Sequence, residues 1–393
     1  MCRAYMTTYL PSYSNDELRV EIRNHIAHLT LNRPAALNAL SFSMLESMTE
    51  LFNQWAKDPD IKAVVAQGVG EKAFCAGGDV RGLYASVTQS GPDVHGRFFS
   101  VEYALNYQMH RFLKNTGKPY IALMDGIVMG GGMGISQGAT LRIVGERTRM
   151  AMPETAIGLF PDVGGSYFLS RAPGATGLYI ALTSSTIRAT DALYAGLADV
   201  TMTREAQQQF LAQLDSLAWP DATQASALAA IVALAKSLSS NAPEAATGAA
   251  PSDLAGLRAA IDKHFSDKPS VQAIIDSLQT ETRPEFTPWA LHSIKLLQKH
   301  SPTLLCVTHR QITAGATMKL ADCFRMELNL VYEAFLQKDL IEGIRALLID
   351  KDNSPKWNPA TLAAVDPATV DRFFSEHWAS DEHPLRDLEK KFG

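Results

Sequence analysis

Residues 126–165 read GIVMGGGMGISQGATLRIVGERTRMAMPETAIGLFPDVGG, and the fold turns on how this stretch is taken. Three consecutive glycines, Gly130, Gly131 and Gly132, open it. A β-type run at 140–144 and a second at 149–152 follow, and two carboxylates, Glu154 and Asp162, close it among Pro and Gly. Glycine triplets let a backbone come close to a ligand, because no Cβ stands in the way. Carboxylates in a largely apolar setting are raw material for acid/base or nucleophilic chemistry. A dinucleotide cradle would need GxGxxG, and Gln137 stands where the third glycine belongs. No GxxxxGK[ST] phosphate loop is present either. The glycines therefore read as a strand-to-helix turn whose free amides can receive an oxyanion.

Working outward, residues 120–124 form a short apolar run that feeds this turn. Residues 72–80 (KAFCAGGDV) place a second glycine turn after a buried-type strand at 63–66. Taken alone, paired glycines after a strand signal no more than a tight turn. Residues 18–31 read as a strand pair turning at Arg23-Asn24, with Ala27, Leu29 and Leu31 alternating with His28 and Thr30 as in a half-buried strand. His25 and His28 on its polar face are ordinary surface histidines on this reading. Phe42, Leu45, Met48, Phe52 and Trp55 keep helical spacing behind a Ser43/Glu46 capping-box pattern. Residues 86–97 are polar and predict a mobile loop, followed by a helix from Phe98 to Phe112 with Glu102 near its start. There the carboxylate would favour the positive end of the helix dipole. After Asp162 the chain is mostly helical, interrupted by a linker-like stretch at 241–252 (NAPEAATGAAPS). No internal sequence repeat is visible.

At 393 residues, 46% hydrophobic and 20% charged, the chain has the profile of a soluble globular enzyme of more than one subdomain. A net charge of −5 without a dense basic run argues against a nucleic-acid surface. The four cysteines (Cys2, Cys75, Cys306, Cys323) have no zinc-ligand spacing and predict reduced thiols and no metal. Neither a secretory h-region nor a membrane span is apparent, so a cytoplasmic location with no membrane partner is expected.

Two glycine turns, each after a strand, then PE and then PDVGG, together resemble the crotonase (enoyl-CoA hydratase/isomerase) superfamily, and within it the 3-hydroxyisobutyryl-CoA hydrolases. The segments that carry the resemblance are LTLNRPAALNAL, KAFCAGGDVRGLY, IVMGGGMGISQGA, MAMPETAIGLFPDVGG and EGIRALLIDKDNSPKW, spanning about residues 18–360 in the family's order. The resemblance implies an α/β fold, a crotonase-type spiral of repeated ββα units with a C-terminal helical region. Residues 15–215 would form the catalytic core, and residues 216–393 a mostly helical part completing the CoA pocket. It implies an oxyanion hole made by the amides of Gly78 and Gly131. Hydratases of the superfamily pair the glutamate of PE with an acid that would stand at Gly134. This chain has no acid there. It has Glu154 and, eight residues on, Asp162, the pattern of the hydrolases.

The same resemblance places Glu102, in an EYxLN run, near the acyl group. It threads CoA past Ala36, Leu37, Ala76, Asp79 and Val80, and it gives the EGIRALLIDKD segment a closing role. Lys351 is the candidate cation for the CoA phosphates. The expected reaction is hydrolysis of a short 3-hydroxyacyl-CoA thioester, with CoA part of the substrate and no separate cofactor. In it Glu154 attacks the carbonyl or activates water, and Asp162 orients the hydroxyl. The alternatives are an enoyl-CoA hydratase or isomerase on the same scaffold, or a non-catalytic acyl-CoA-binding protein. Members of the superfamily often form trimers, so a homo-oligomer is a further expectation.

Overall fold

Leu18–Arg23 (β1) and Ile26–Leu31 (β2) pair antiparallel. The turn between them is at Asn24 and His25, one residue later than expected. Both have positive φ, 45° and 64°, the backbone of a two-residue turn whose twist matches its strands. The computed structural model of the chain describes residues 16–90, 93–219, 224–239 and 253–393; the expected linker at 241–252 lies outside them.

The strands that follow are Ala63–Gly68 (β3), Ala73–Cys75 (β4), Tyr120–Met124 (β5), Ile127–Met129 (β6), Leu141–Val144 (β7), Arg149–Ala151 (β8) and Val200–Thr201 (β9). They form one sheet in the order β1-β2-β3-β5-β7-β9 and a second in the order β4-β6-β8. Three times the chain lays one strand in the larger sheet and the next in the smaller, then turns into a helix: β3-β4, β5-β6 and β7-β8. All the pairings after β1-β2 are parallel, which requires such crossovers. This is the spiral of ββα units that was expected. The repetition is one of topology; no sequence repeat accompanies it. Strand β5 is buried along its whole length, as a parallel strand covered on both faces should be.

The local readings need three corrections. Strand β2 is not half-buried: His28 is only 3% exposed, because β2 lies between β1 and β3 and its ring meets Asp215, 2.9 Å away, at the end of helix Arg204–Leu214. Helix Phe42–Lys57 (α1) is capped by Ser41, whose hydroxyl accepts from the Met44 N–H, and not by Ser43. The polar stretch at 86–97 is largely helical. Helix Val80–Ser90 (α2) precedes helix Asp93–Thr116 (α3), so Glu102 lies in the interior of α3 and the dipole explanation for it does not hold.

Helix Gly131–Gln137 (α4) follows β6. Among the described residues, six helices of nine residues or more run through the C-terminal half after residue 220, from Gln224–Leu238 to Leu320–Leu336. Among them, Gln224–Leu238 covers the larger sheet, with Ile231 and Ala235 packed on Ile26, Val65, Ile121 and Ile143. Helix Leu320–Leu336 packs on α3. The consequence for function lies in the smaller sheet. Its three parallel strands deliver, past their C-terminal ends, the turn at Gly77-Gly78, the turn at Gly130-Gly131 and Glu154.

Candidate active site

The two glycine turns meet. Leu40 donates to the Gly77 carbonyl (2.8 Å) and accepts from the Asp79 N–H (2.8 Å). It thus takes the groups on either side of Gly78 and leaves the Gly78 N–H facing away from it. Gly131 is the first residue of α4, so its N–H is one of the amides a helix start cannot satisfy. A Cβ placed on Gly131 would stand 3.2 Å from the Gly78 nitrogen. The two amides are therefore neighbours, and a side chain at Gly131 would occupy the space beside them.

Three carboxylates surround this point. Glu102, Glu154 and Asp162 are 2%, 5% and 4% exposed. Glu154 starts a 3-10 turn, Glu154–Ile157, and the next side chain, Thr155, ties that turn to Ser184 (2.7 Å) and His300 (3.2 Å). The Oε1 of Glu154 would lie 2.9 Å from a Cβ on Gly130, and the Oε1 of Glu102 2.6 Å from one on Gly131. Asp162 accepts a 2.7 Å hydrogen bond at Oδ2 from the Tyr103 hydroxyl. Glu102 Oε1 and Glu154 Oε2 have no hydrogen-bond partner among the described residues, an expensive state unless a ligand supplies one.

Burial raises both glutamates well above the usual carboxylate range, with the charge of Asp162 adding to it. Burial also raises Asp162, to about 6, against the opposing effect of the Tyr103 hydroxyl.

These groups line a cavity of ≈ 360 Å³. Ala76, Gly78, Val80, Glu102, Gly131, Glu154 and Asp162 face it, with an apolar wall of Leu83, Phe98, Phe99 and Phe335. Ile344, Leu347 and Leu348 from the EGIRALLID segment, with Leu340 just before it, also line it. Four expected contacts do not line it. Ala36 is exposed at the end of a 3-10 turn, and Leu37 reaches the site only through its carbonyl, which accepts from the Ala76 N–H (3.0 Å). Both oxygens of Asp79 are taken, by Arg33 (2.9 Å) and by the Gly82 N–H (3.0 Å); it caps α2. Lys351 is exposed and outside the lining.

Gly134 admits a side chain only if its neighbours shift. A Cβ there would lie 2.7 Å from both Asn106 Nδ2 and Val163 Cβ. The room a second acid would need is filled by α3 and by the residue after Asp162. Sequence reasoning missed Tyr103 and Asn106 as site components, although both stand in the EYxLN run. Phe98, Glu102 and Asn106 recur every four residues and so share one face of α3, which is the signal that was available.

A family model described as enoyl-CoA hydratase/isomerase matches residues 26–374. The chain is 39% identical over 378 residues to "3-hydroxyisobutyryl-CoA hydrolase, mitochondrial" of Danio rerio, covering 96% of this chain and 93% of that protein. It is 37% identical to "Probable 3-hydroxyisobutyryl-CoA hydrolase 3" of Arabidopsis thaliana, over 95% of each. Among solved structures it is similar to a carnitinyl-CoA dehydratase from Mycobacterium thermoresistibile (TM-score 0.81, 36% identity, 92% of this chain and 97% of that one). It is also similar to an enoyl-CoA hydratase from Rhodobacter sphaeroides 2.4.1 (TM-score 0.78, 32% identity, 92% and 98%). The mitochondrial label on the Danio rerio relative gives the cytoplasmic expectation no support. Among the described residues no helix is long and apolar enough to cross a membrane. With its fold, its motifs and its relatives in agreement over nearly the whole chain, this protein belongs to the enoyl-CoA hydratase/isomerase family.

Proposed function

We propose that this protein hydrolyses the thioester of a short 3-hydroxyacyl-CoA, with 3-hydroxyisobutyryl-CoA, an intermediate of valine degradation, as the first candidate. The observation that carries the proposal is the meeting of two free glycine amides with Glu154 and Asp162 at one cavity whose hydratase-acid position, Gly134, is sterically crowded.

The thioester carbonyl oxygen sits between the Gly78 and Gly131 amides, which stabilise it as it becomes negative; one such donor is typically worth about 10²–10³ in kcat. The Glu154 carboxylate attacks the carbonyl carbon. The C–S bond breaks, and the leaving thiolate takes a proton supplied through Asp162. Water then hydrolyses the resulting anhydride, releasing the hydroxy acid and regenerating Glu154. If Glu154 instead acts as general base, water attacks directly and no acyl-enzyme forms. Asp162 and Glu102 face the 3-hydroxyl, and Tyr103 holds Asp162 in place. CoA enters as part of the substrate, and the proposal adds no further cofactor.

The second reading, hydration of an enoyl-CoA, draws on the names of the two solved relatives, and the crowded Gly134 weighs against it. Offering 3-hydroxyisobutyryl-CoA and crotonyl-CoA separately separates the two. Free thiol appearing with the former supports hydrolysis, whereas loss of enoyl absorbance without thiol release overturns it. After single turnover in ¹⁸O-water, label in the Glu154 carboxyl identifies an acyl-enzyme whose anhydride water opens at the Glu154 carbonyl, whereas direct attack by water puts the label in the hydroxy acid alone.

A further inference from the structure

We propose that Glu327 is a positioning residue for this reaction, holding the segment that carries Asp162 in a conformation the backbone would not adopt unaided; the proposal rests on Asp162 acting on the substrate's 3-hydroxyl.

Immediately after Asp162 the chain takes two left-handed residues in succession, Val163 at φ 51° and Gly164 at φ 91°. For Gly164 this carries little cost. For Val163 it is an outlier, since a β-branched side chain crowds its own backbone there. Such strain persists only where the surroundings over-determine it, and it concentrates at functional sites. Here it has a visible result. Val163 lines the cavity and fills the space beside Gly134, while Asp162 is directed to Tyr103 and the cavity.

The restraint comes from helix Leu320–Leu336. Glu327, fully buried in that helix, accepts from the Gly164 N–H at Oε2 (2.7 Å). At Oε1 it accepts from the Ser166 N–H (2.9 Å) and the Ser166 hydroxyl (2.6 Å). Gln311 completes the frame from helix Pro302–Gly315, donating to the Pro161 carbonyl (2.6 Å) and to the Ser166 oxygen (2.8 Å). Because Gln311 donates to that oxygen, the single hydroxyl proton of Ser166 is directed to Glu327. Both oxygens of Glu327 are thus acceptors, bridging the residues on either side of Gly165. None of its atoms lines the cavity, so it acts on the substrate through Asp162 and Val163.

The amide in Glu327→Gln cannot accept at both ends. Its NH₂ would face the N–H of Gly164 or of Ser166, and that side of the frame would be lost. General structural damage, like any loss of the proton Asp162 supplies to the thiolate, would slow every thioester alike, whereas the hold of Asp162 on the 3-hydroxyl matters only when the substrate has one. The test therefore compares kcat/KM for 3-hydroxyisobutyryl-CoA with that for isobutyryl-CoA, which lacks the hydroxyl, in wild type, Glu327→Gln, Asp162→Asn and the double variant.

The expected result is a fall in this ratio on the order of 10²-fold for Glu327→Gln, as for a misplacement of about 1 Å. Free CoA should bind as in wild type, and the double variant should be no lower than Asp162→Asn alone. If Asp162→Asn leaves the ratio unchanged, the reading of Asp162 fails. If Asp162→Asn lowers it and Glu327→Gln does not, the positioning role fails. Should Glu327→Gln not fold, Ser166→Ala removes one arm of the frame and is expected to lower the ratio in part; an unchanged ratio there overturns the proposal.

Discussion

Replacing Asp162 by asparagine should stabilise this protein while disabling it, and the stabilisation should depend on pH. In the unfolded chain the carboxyl ionises at an ordinary 3.8, and in the folded protein at about 6. Burial is the main cause of the rise, and the Tyr103 hydroxyl opposes it. The folded state therefore holds this proton more tightly than the unfolded one. The stability linked to it is fully present below pH 3.8 and is lost as pH rises through about 6. The interval corresponds to about 3 kcal/mol.

Asparagine cannot ionise and still presents an oxygen to Tyr103. It also removes the negative charge that helps raise Glu102 and Glu154. Urea unfolding at pH 8 should show the variant ahead of wild type by up to about 3 kcal/mol, with the advantage shrinking toward zero near pH 4. Thiol release from 3-hydroxyisobutyryl-CoA should fall by about 10²–10⁴-fold, the usual worth of a proton-transferring side chain. A stability gap that stays constant between the two pH values would refute the assignment of a buried, proton-holding Asp162. Unimpaired thiol release would refute its part in the reaction.

Three further outcomes are expected. Glu154→Gln keeps the shape of the site but loses the nucleophile or base, so thiol release should drop by at least about 10²–10⁴-fold while CoA binding, measured by calorimetry, is retained. Tyr103→Phe removes a hydrogen bond to a buried charge, worth about 1.5–3 kcal/mol. Above pH 6 that loss should appear in denaturation, and the Asp162 titration followed by carboxyl NMR should move upward. Gly134→Asp should not create a hydratase: its Cβ would meet Asn106 and Val163 at 2.7 Å, so a loss of about 1–3 kcal/mol in stability is expected, with no gain in crotonyl-CoA hydration.

Much of this was legible in the sequence because it depends on short-range chemistry. Glycines at 77–78 and 130–132 after apolar runs mark turns where a backbone is bared, and the order of those turns with PE and PDVGG identified the family and the ββα spiral and singled out Glu154 and Asp162 as candidates. Local pattern failed where neighbours in space decide. His28 looked half-exposed on an alternating strand and is buried, because a helix some 190 residues later covers that face. The polar run at 86–97 looked like loop and is mostly helix. Asp79 and Ala36 stood in the right motifs, yet Asp79 is spent on Arg33 and the start of α2, and Ala36 is exposed. No sequence pattern predicted that Asn106 and Val163 fill the space at Gly134, or that Glu327 holds the Asp162 segment across 163 and 161 positions of chain. The sequence alone determined which groups could take part in the chemistry. Only the tertiary structure decided which of them converge, because the pKa values, the steric crowding of Gly134 and the strained turn after Asp162 all arise from burial against distant segments.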